Sequence, residues 1–327
     1  MKRSRALALA FPVLAPVAGV ALGALLLASI PALSGRVAHA DDPGRAARNQ
    51  RCATRLSVTL LGKSPDAALL GADDPASRVD AMLATPEFRD RFASFVNASF
   101  NGGPTTDPTN DPIYFLARYV LEQNKPWRDL FVGAYDVRPT ADRRALDVVP
   151  SANGLGYFRT TPWMVRYAGN EEKGIRLSAA YHMIHNTTGF EVPASVAKPG
   201  EDRTAAGRQA AACEGCHFTS WFALDKAAAV LSQKRVAADG TVTFDATTVA
   251  PTALLGKTLR DDRELVTTLV DSDAFKFSQC RLIYKFLYGR PENQCEAPLF
   301  DKCVDELSKG SVVPAIAVIA KDASFCQ

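Results

Sequence analysis

The sequence lacks the short motifs that mark several large enzyme classes. It contains no Gly-x-x-x-x-Gly-Lys phosphate loop, no His-Glu-x-x-His zinc motif and no Gly-x-Ser-x-Gly nucleophile turn. With 47% hydrophobic and 22% charged residues among 327, it also lacks the polar bias of a disordered chain and the apolar content of a multi-span membrane protein. The composition therefore indicates a globular protein whose chemistry lies in less common motifs.

An excess of charge of one sign is also missing from most of the chain. Of 38 basic side chains, four lie in residues 1–40, which contain no acidic residue, so the rest of the chain has 34 basic against 35 acidic side chains. A nearly neutral surface does not attract nucleic acid or an anionic membrane. We therefore predict no nucleic-acid partner, and no membrane contact beyond an export signal.

The first 40 residues have the pattern of such a signal. Lys2, Arg3 and Arg5 precede an apolar run over residues 6–33, and residues 38–40 are Ala-His-Ala, the small-x-small form that signal peptidase accepts. The pattern predicts a signal peptide cleaved after residue 40 and a periplasmic or secreted protein. The alternative is an uncleaved N-terminal anchor, because the apolar run is long enough to span a bilayer.

Residues 213–217 are Cys-Glu-Gly-Cys-His, and they form the most informative motif. In an exported chain, Cys-x-x-Cys-His is the attachment sequence of c-type haem. The thiols of Cys213 and Cys216 lie three positions apart on one helical turn and can each bond a vinyl group of one porphyrin. His217 is then placed as the proximal ligand of the iron. The motif predicts one covalently bound haem c per chain, with His217 as a metal ligand.

Two other functions could use the same cysteines. A dithiol redox pair needs a strand–helix setting, whereas the segments on both sides of the motif are rich in alanine and leucine and predict helices. A zinc site needs a second pair of ligands, and no further Cys-x-x-Cys or His-x₃₋₅-His follows the motif. The sequence therefore favours haem.

Histidine and methionine are scarce, with four of each, and this limits the second axial ligand. Neither residue type follows His217, so the arrangement common in small cytochromes, with a methionine ligand late in the domain, is excluded. A second strong ligand must come from upstream of the motif. The candidates are His182, His185 and Met183, followed by Met164 and Met82.

The first three candidates lie in residues 171–188, whose spacing predicts a helix. His182 and His185 are three positions apart and share a face of that helix. Met183 follows the apolar periodicity, which is typical of core packing. We expect His185 to be the ligand, because it lies near the end of the helix, where the backbone can adjust. The alternative ligands are His182 and then Met183. A further alternative is a five-coordinate iron, which has no second strong ligand.

Three parts of the chain contain motifs that occur together in one group of families. In the first part, residues 55–65 contain Gly-x-x-Pro, residues 79–88 contain Thr-Pro-Glu-Phe and residues 119–131 contain Asn-x-Pro-Trp. In the second part, residues 213–225 place Phe-Ala-Leu-Asp after the cysteine motif, and in the third, residues 265–291 contain Ser-Asp-Ala-Phe and Phe-Leu-Tyr-Gly-Arg-Pro. Together they resemble the planctomycete-type cytochrome c-associated families of unknown function. The resemblance implies haem attachment and two helical modules, and it implies no particular activity.

The spacing of apolar residues predicts a mainly α-helical fold with one small β-hairpin at residues 236–243, whose turn is Asp-Gly. We divide the chain into a signal peptide (1–40), an N-terminal helical module (41–150), a connecting helical segment (151–200), and a c-type haem and C-terminal helical module (201–327). Helices are predicted over residues 46–62, 75–84, 86–100, 112–124, 126–136, 258–271 and 273–288.

Five cysteines remain outside the haem motif. In an oxidising compartment they should form disulfides and leave one thiol over. Short separations favour a bridge between Cys280 and Cys295 and another between Cys303 and Cys326, with Cys52 unpaired. The sequence allows other pairings as well.

These patterns predict an exported monohaem c-type cytochrome-like protein that transfers single electrons to or from an unknown redox protein partner. One alternative is a peroxidase-like enzyme, which needs an open distal site and a positive side chain such as Arg166 or Arg176. The other is a non-catalytic subunit of a larger redox assembly. The sequence favours a carrier or an accessory subunit over a catalyst.

Overall fold

Helices form most of the computed structural model, which describes residues 43–102, 104–168, 176–192, 200–236, 238, 242–245 and 250–327. The predicted mainly α-helical fold class is confirmed. The helices are α1 (Pro43–Leu56), α2 (Ala67–Leu70), α3 (Val79–Leu83), α4 (Pro86–Asn101), α5 (Pro112–Glu122), α6 (Asp129–Val132), α7 (Thr161–Ala168), α8 (Leu177–Thr188), α9 (Ala211–Glu214), α10 (Leu224–Ala229), α11 (Asp262–Val270), α12 (Asp273–Tyr288), α13 (Ala297–Ser308) and α14 (Val312–Ala320). The predicted signal, residues 1–40, lies outside the described residues.

Six short strands form three antiparallel pairs in the described part of the chain, where the sequence predicted one hairpin. The strands are β1 (Tyr135–Pro139), β2 (Leu146–Pro150), β3 (Gln233–Val236), β4 (Val242–Asp245), β5 (Thr252–Leu254) and β6 (Lys257–Leu259). The predicted hairpin is the β3–β4 pair, in which Val236 lies opposite Val242. Its predicted Asp-Gly turn lies outside the described residues.

The two long helices α4 and α12 begin with the same local structure. Thr85 caps α4 and accepts a hydrogen bond from the amide of Phe88 at 3.2 Å, and Ser272 caps α12 in the same way, accepting from the amide of Phe275 at 3.3 Å. Such hydroxyl caps satisfy an amide that has no partner within the helix. In both helices the bonded phenylalanine is buried, so the cap also directs a large side chain into the core.

Two predicted helices were wrong in part. The helix expected over 126–136 is only the short α6, because Gly133 leaves the helical conformation and β1 follows. A side chain at Gly133 would collide with the carbonyl oxygen of Asp129 and the ring of Tyr135, so the chain turns there on a glycine.

The helix expected to start at residue 258 begins later, at Asp262. Asp261 is its cap and accepts from the amide of Glu264 at 2.8 Å. The residues before it form the β5–β6 pair, whose turn at Leu255 and Gly256 has positive φ angles of 55° and 71°. Two consecutive positive φ angles are typical of tight hairpin turns, and that turn carries residues 257–259 into a strand.

One hydrophobic core joins the segments that the sequence assigned to separate modules. The ring of Phe92 on α4 lies 5.0 Å from that of Phe286 on α12 and 5.6 Å from that of Trp127. The indole nitrogen of Trp127 donates to Gln279 on α12 at 2.9 Å. Residues 41–327 cluster as one unit by their contacts. The module boundaries at residues 150 and 200 stay predictions.

The disulfides differ from the pairs that the sequence favoured. Cys52 is bonded to Cys326, and Cys280 to Cys303, while Cys295 is free and exposed. The prediction relied on short separations along the chain, but packing brings α1 against the C-terminal turn and α12 against α13. Two disulfides fit an extracytoplasmic location. Among the described helices, none is long and apolar enough to cross a membrane.

Candidate functional site

The cysteine motif lies on one continuous helical stretch. Cys213 is in α9, and residues 215–219 continue that helix as a wider π-helical turn that contains Cys216 and His217. Both cysteines are free thiols; that of Cys213 is partly buried and that of Cys216 is exposed. A Cβ atom added at Gly215 would meet no other atom within 4 Å among the described residues. The two thiols and the imidazole are therefore presented from adjoining helical positions, with open space beside the glycine.

The imidazole of His217 is held by a carboxylate. Its Nδ1–H donates to Oδ2 of Asp225 over 2.7 Å. Because an ionised carboxylate can only accept, this contact places a proton on Nδ1, and Nε2 is the nitrogen that has no part in the contact. Histidines that ligate metals commonly make such a second hydrogen bond, which fixes the tautomer and the ring orientation. The contact therefore makes Nε2 of His217 the candidate metal-ligating atom.

Asp225 is in turn held by Arg208. The guanidinium donates from Nη2 to Oδ1 at 2.6 Å and from Nε to Oδ2 at 3.0 Å, a two-point contact. The side chains of Arg208 and Asp225 are only 10% and 9% exposed. Charge-assisted, two-point pairs of this kind are stronger and better oriented than single hydrogen bonds. Arg208, Asp225 and His217 therefore form one connected chain of contacts, which we call the proximal triad.

Sequence reasoning missed this triad. Asp225 appeared only as the last residue of the Phe-Ala-Leu-Asp element, and Arg208 was not singled out. An available signal was the acidic residue in the first turn of the helix that follows the motif. Arg208 gave no signal, because its contact depends on the path of the chain between residues 209 and 224.

The helix that carries the distal candidates is α8, which packs against α10, the helix that holds Asp225. Nδ1 of His185 donates to the backbone carbonyl of Phe190 at 3.1 Å, which orients the ring. The ring of Phe190 lies 4.9 Å from that of Trp221 and 4.7 Å from that of Phe222. The end of α8 therefore contacts the segment that directly follows the cysteine motif.

His182 has a different environment. Its ring lies 3.9 Å from the ring of Tyr167 on α7, and its closest ring contact on α8 is Tyr181, at 5.2 Å. Burial, with smaller contributions from the neighbouring His185 and Arg166, lowers the pKa of His182 to about 4. His182 is therefore a neutral imidazole at physiological pH. The part of the predicted helix before residue 176 lies outside the described residues.

The three methionines named as candidates all lie in the core. Met183 is 2% exposed, and Met82 and Met164 are also buried. A thioether in such a place would have to leave its packing to reach a ligand. The two histidines of α8 are half-buried, so their rings are less enclosed than the methionine side chains.

Both arginines considered for a distal enzyme site already make contacts. Arg166 donates from Nη1 to the side-chain oxygen of Asn101 at 2.8 Å. Arg176 is buried and donates to the backbone carbonyl of Leu231 at 2.6 Å and to that of Ser232. Within the described residues, no three His, Cys, Asp or Glu side chains come together as a metal site.

Comparison with known proteins does not assign the site. No protein-family model, no curated protein and no solved structure matches this chain. The resemblance to the planctomycete-type families stays a prediction, and the interpretation of the site depends on its own geometry.

Proposed function

We propose that this protein is a monohaem c-type protein that carries single electrons outside the cytoplasm. Cys213 and Cys216 would hold the porphyrin, and His217 would ligate the iron. The observation that carries the proposal is the contact between His217 and Asp225, which leaves Nε2 as the free nitrogen of an oriented ring. Two free thiols and one imidazole, presented on one helical stretch, are the donor set that covalent haem requires.

Haem bound in this way supplies a one-electron couple, and the protein supplies ligands, burial and orientation. The proximal triad holds the ring of His217 in place. We propose His185 as the second residue that would ligate the iron. Its Nδ1 is engaged by the Phe190 carbonyl, which orients the ring as Asp225 orients that of His217. Two imidazole ligands would give a low-spin haem, the state suited to electron transfer.

A second candidate is a peroxidase-like haem enzyme. The hydrogen bond between His217 and Asp225 supports this candidate as well. A carboxylate on the proximal imidazole strengthens it as an electron donor, which suits an iron that is oxidised during catalysis. This function needs an open distal position. The ferric absorption spectrum separates the two candidates, because a high-spin band supports the enzyme and a six-coordinate low-spin spectrum supports the carrier.

The extracytoplasmic part of the proposal has two supports. The first is the predicted signal peptide over residues 1–40. The second is the pair of disulfides, Cys52–Cys326 and Cys280–Cys303, which are typical of oxidising compartments. We propose a periplasmic or secreted protein with a cleaved signal. An N-terminal sequence of the exported protein that starts at Asp41 would support this, and one that starts at Met1 would contradict it.

Haem attachment is tested by acid–acetone extraction of protein made with a c-type maturation system. We expect the parent to keep its colour in the protein fraction, because thioether bonds survive the extraction. The double variant Cys213→Ser, Cys216→Ser should lose all covalent haem. Cys295→Ser is the matched control, since Cys295 is also free and exposed but lies outside the motif. Complete extraction of the colour from the parent would refute the proposal.

A further inference from the structure

We infer that Asp225, held by Arg208, is a positioning residue that lowers the reduction potential of the haem iron through His217. The inference rests on the proposed function and deepens it. Arg208 and Asp225 lie outside the Cys-x-x-Cys-His motif. According to the inference, they control how strongly His217 donates electrons to the iron. Neither residue would touch the haem; both would act through the imidazole.

The geometry of the contact is the first step of the argument. Oδ2 of Asp225 lies 2.7 Å from Nδ1 of His217, a short, charge-assisted hydrogen bond. A carboxylate that accepts the Nδ1 proton pulls it partly away from the ring, and the opposite nitrogen becomes a stronger donor. The same Oδ2 atom also accepts from Nε of Arg208 at 3.0 Å, so the carboxylate cannot rotate away from the histidine.

The second step concerns charge. Arg208 and Asp225 are about nine-tenths buried, so their interactions are screened less than those of surface charges. Oxidation of ferrous iron adds one positive charge, which a nearby negative charge stabilises. The guanidinium opposes this effect, but it reaches His217 only through the carboxylate and therefore lies farther from the ring. The net result is a preference for the ferric state and a lower potential.

The two imidazoles of the site differ in this respect. His217 donates to a carboxylate, whereas His185 donates to the neutral carbonyl of Phe190. A neutral acceptor orients a ring without adding charge. The effect on potential is therefore assigned to the proximal side, and it is expected whether or not His185 ligates the iron.

The test is a potentiometric titration of Asp225→Asn against the parent protein. Asparagine keeps an oxygen near Nδ1 but removes the charge, so we expect the midpoint potential to rise. In the His185→Ala background, where CO can bind in place of the removed imidazole, the C–O stretching frequency of the ferrous CO adduct should rise as well, because a weaker imidazole donor gives CO less electron density. Asp225→Glu, which keeps the charge, should restore both values toward those of the parent.

Arg159 and Asp262 provide the matched control. They form a second buried pair, with a 2.6 Å contact and side chains 12% and 3% exposed, and no histidine is bonded to Asp262 among the described residues. Asp262→Asn should therefore lower stability without moving the potential. If it raises the potential as much as Asp225→Asn does, the effect is not specific to the triad and the inference is overturned.

Asp225→Asn leaves a buried guanidinium without its partner, which can prevent folding. The double variant Arg208→Gln, Asp225→Asn removes both charges and leaves a neutral amide at each position, so it provides the test in that case. We expect a smaller rise in potential, because the opposing positive charge is removed too. A folded variant with covalent haem and an unchanged potential would overturn the inference alone. A parent without covalent haem would refute the proposed function, and the inference with it.

Discussion

Cysteine has opposite surroundings in two regions of this molecule. In the region formed by α1, α12, α13 and the C-terminal turn, four cysteines are bonded in pairs, and Cys280 and Cys303 are completely buried. In the region of the cysteine motif, Cys213 and Cys216 are free and at least partly accessible. The first region is held by its own packing and sulfur bridges. In the second region the two thiols are accessible, and the main side-chain contacts are those of the proximal triad.

The difference shows that the fold separates structural from reactive sulfur by burial. A thiol inside a packed core has access only to the neighbour that packing gives it, whereas an accessible thiol can react with a bound group. The predictions below change one region and ask whether the other responds. Because the two regions share no disulfide and no residue of the proximal triad, we expect stability and the spectrum of the proposed haem to change separately.

The largest loss of stability is expected from the disulfide that joins the ends of the described chain. Cys52 and Cys326 are 274 residues apart, so their bridge removes much of the freedom of the unfolded chain. The chain-entropy relation gives about 5.6 kcal/mol for it. Cys52→Ser, Cys326→Ser should lower the free energy of unfolding by that order in denaturant titrations, with the haem spectrum unchanged. A loss of covalent haem in the folded variant would contradict the separation.

The second bridge should contribute less. Cys280 and Cys303 close a loop of 23 residues, for which the same relation gives about 3 kcal/mol. Cys280→Ser, Cys303→Ser should therefore be more stable than the variant of the longer bridge. Equal or reversed losses would show that strain or burial, and not loop length, decides the contribution of these bridges.

The helix α8 packs against both regions. We expect substitutions of its core methionine to change stability and substitutions of its ligand histidine to change the ferric spectrum. Met183→Ala removes a core side chain and should cost about 3 kcal/mol of stability while leaving the ferric spectrum as it is. His185→Ala should instead convert a low-spin ferric spectrum to a high-spin one, and His182→Ala should not. Absorption and paramagnetic resonance of the ferric state provide the measurement.

The outcomes that would contradict this assignment differ. If Met183→Ala changes the spectrum and both histidine variants keep it, the imidazole assignment is wrong. If none of the three changes it, α8 does not cover the haem, and the peroxidase-like function gains support.

The pH dependence of stability should arise on the motif side, because the described histidines all lie on α8 or in the motif. The folded protein keeps His182 neutral down to about pH 4, while the unfolded chain binds the proton near its ordinary value of 6.5. The stabilisation is complete above pH 6.5 and is lost as the pH falls toward 4. His182→Phe should make the unfolding free energy less dependent on pH in this window. An unchanged slope would show that His182 is not the group responsible.

The smallest effects are expected from the helix caps of α4 and α12, which lie outside the cysteine motif. Thr85→Ala and Ser272→Ala should each lower stability by about 1 kcal/mol, since each leaves a helix amide without its partner. Their losses should add in the double variant, because the caps lie on different helices. Neither variant should alter the haem spectrum, and a shift in it would mean that the core and the motif are coupled.

The features that the sequence predicted correctly depend on residues a few positions apart. The helix over 273–288 was confirmed, because its cap at Ser272 and its glycine stop at Gly289 are both local signals. The cysteine motif is likewise a pattern within five residues, and the haem that it predicts stays a prediction. The errors at Gly133 and Thr258 arose where a turn or a hairpin competed with helical spacing, and such competition is resolved by contacts between strands.

By itself, the sequence determined a mainly helical chain, the cysteine motif and the absence of any imidazole or thioether ligand after His217. These properties depend only on composition and on residues that are close together along the chain, so contacts between distant residues do not affect them. Only the tertiary structure decided which cysteines pair and that Arg208 and Asp225 hold His217. Those contacts form when separate helices pack, so the distance between residues along the chain does not predict them.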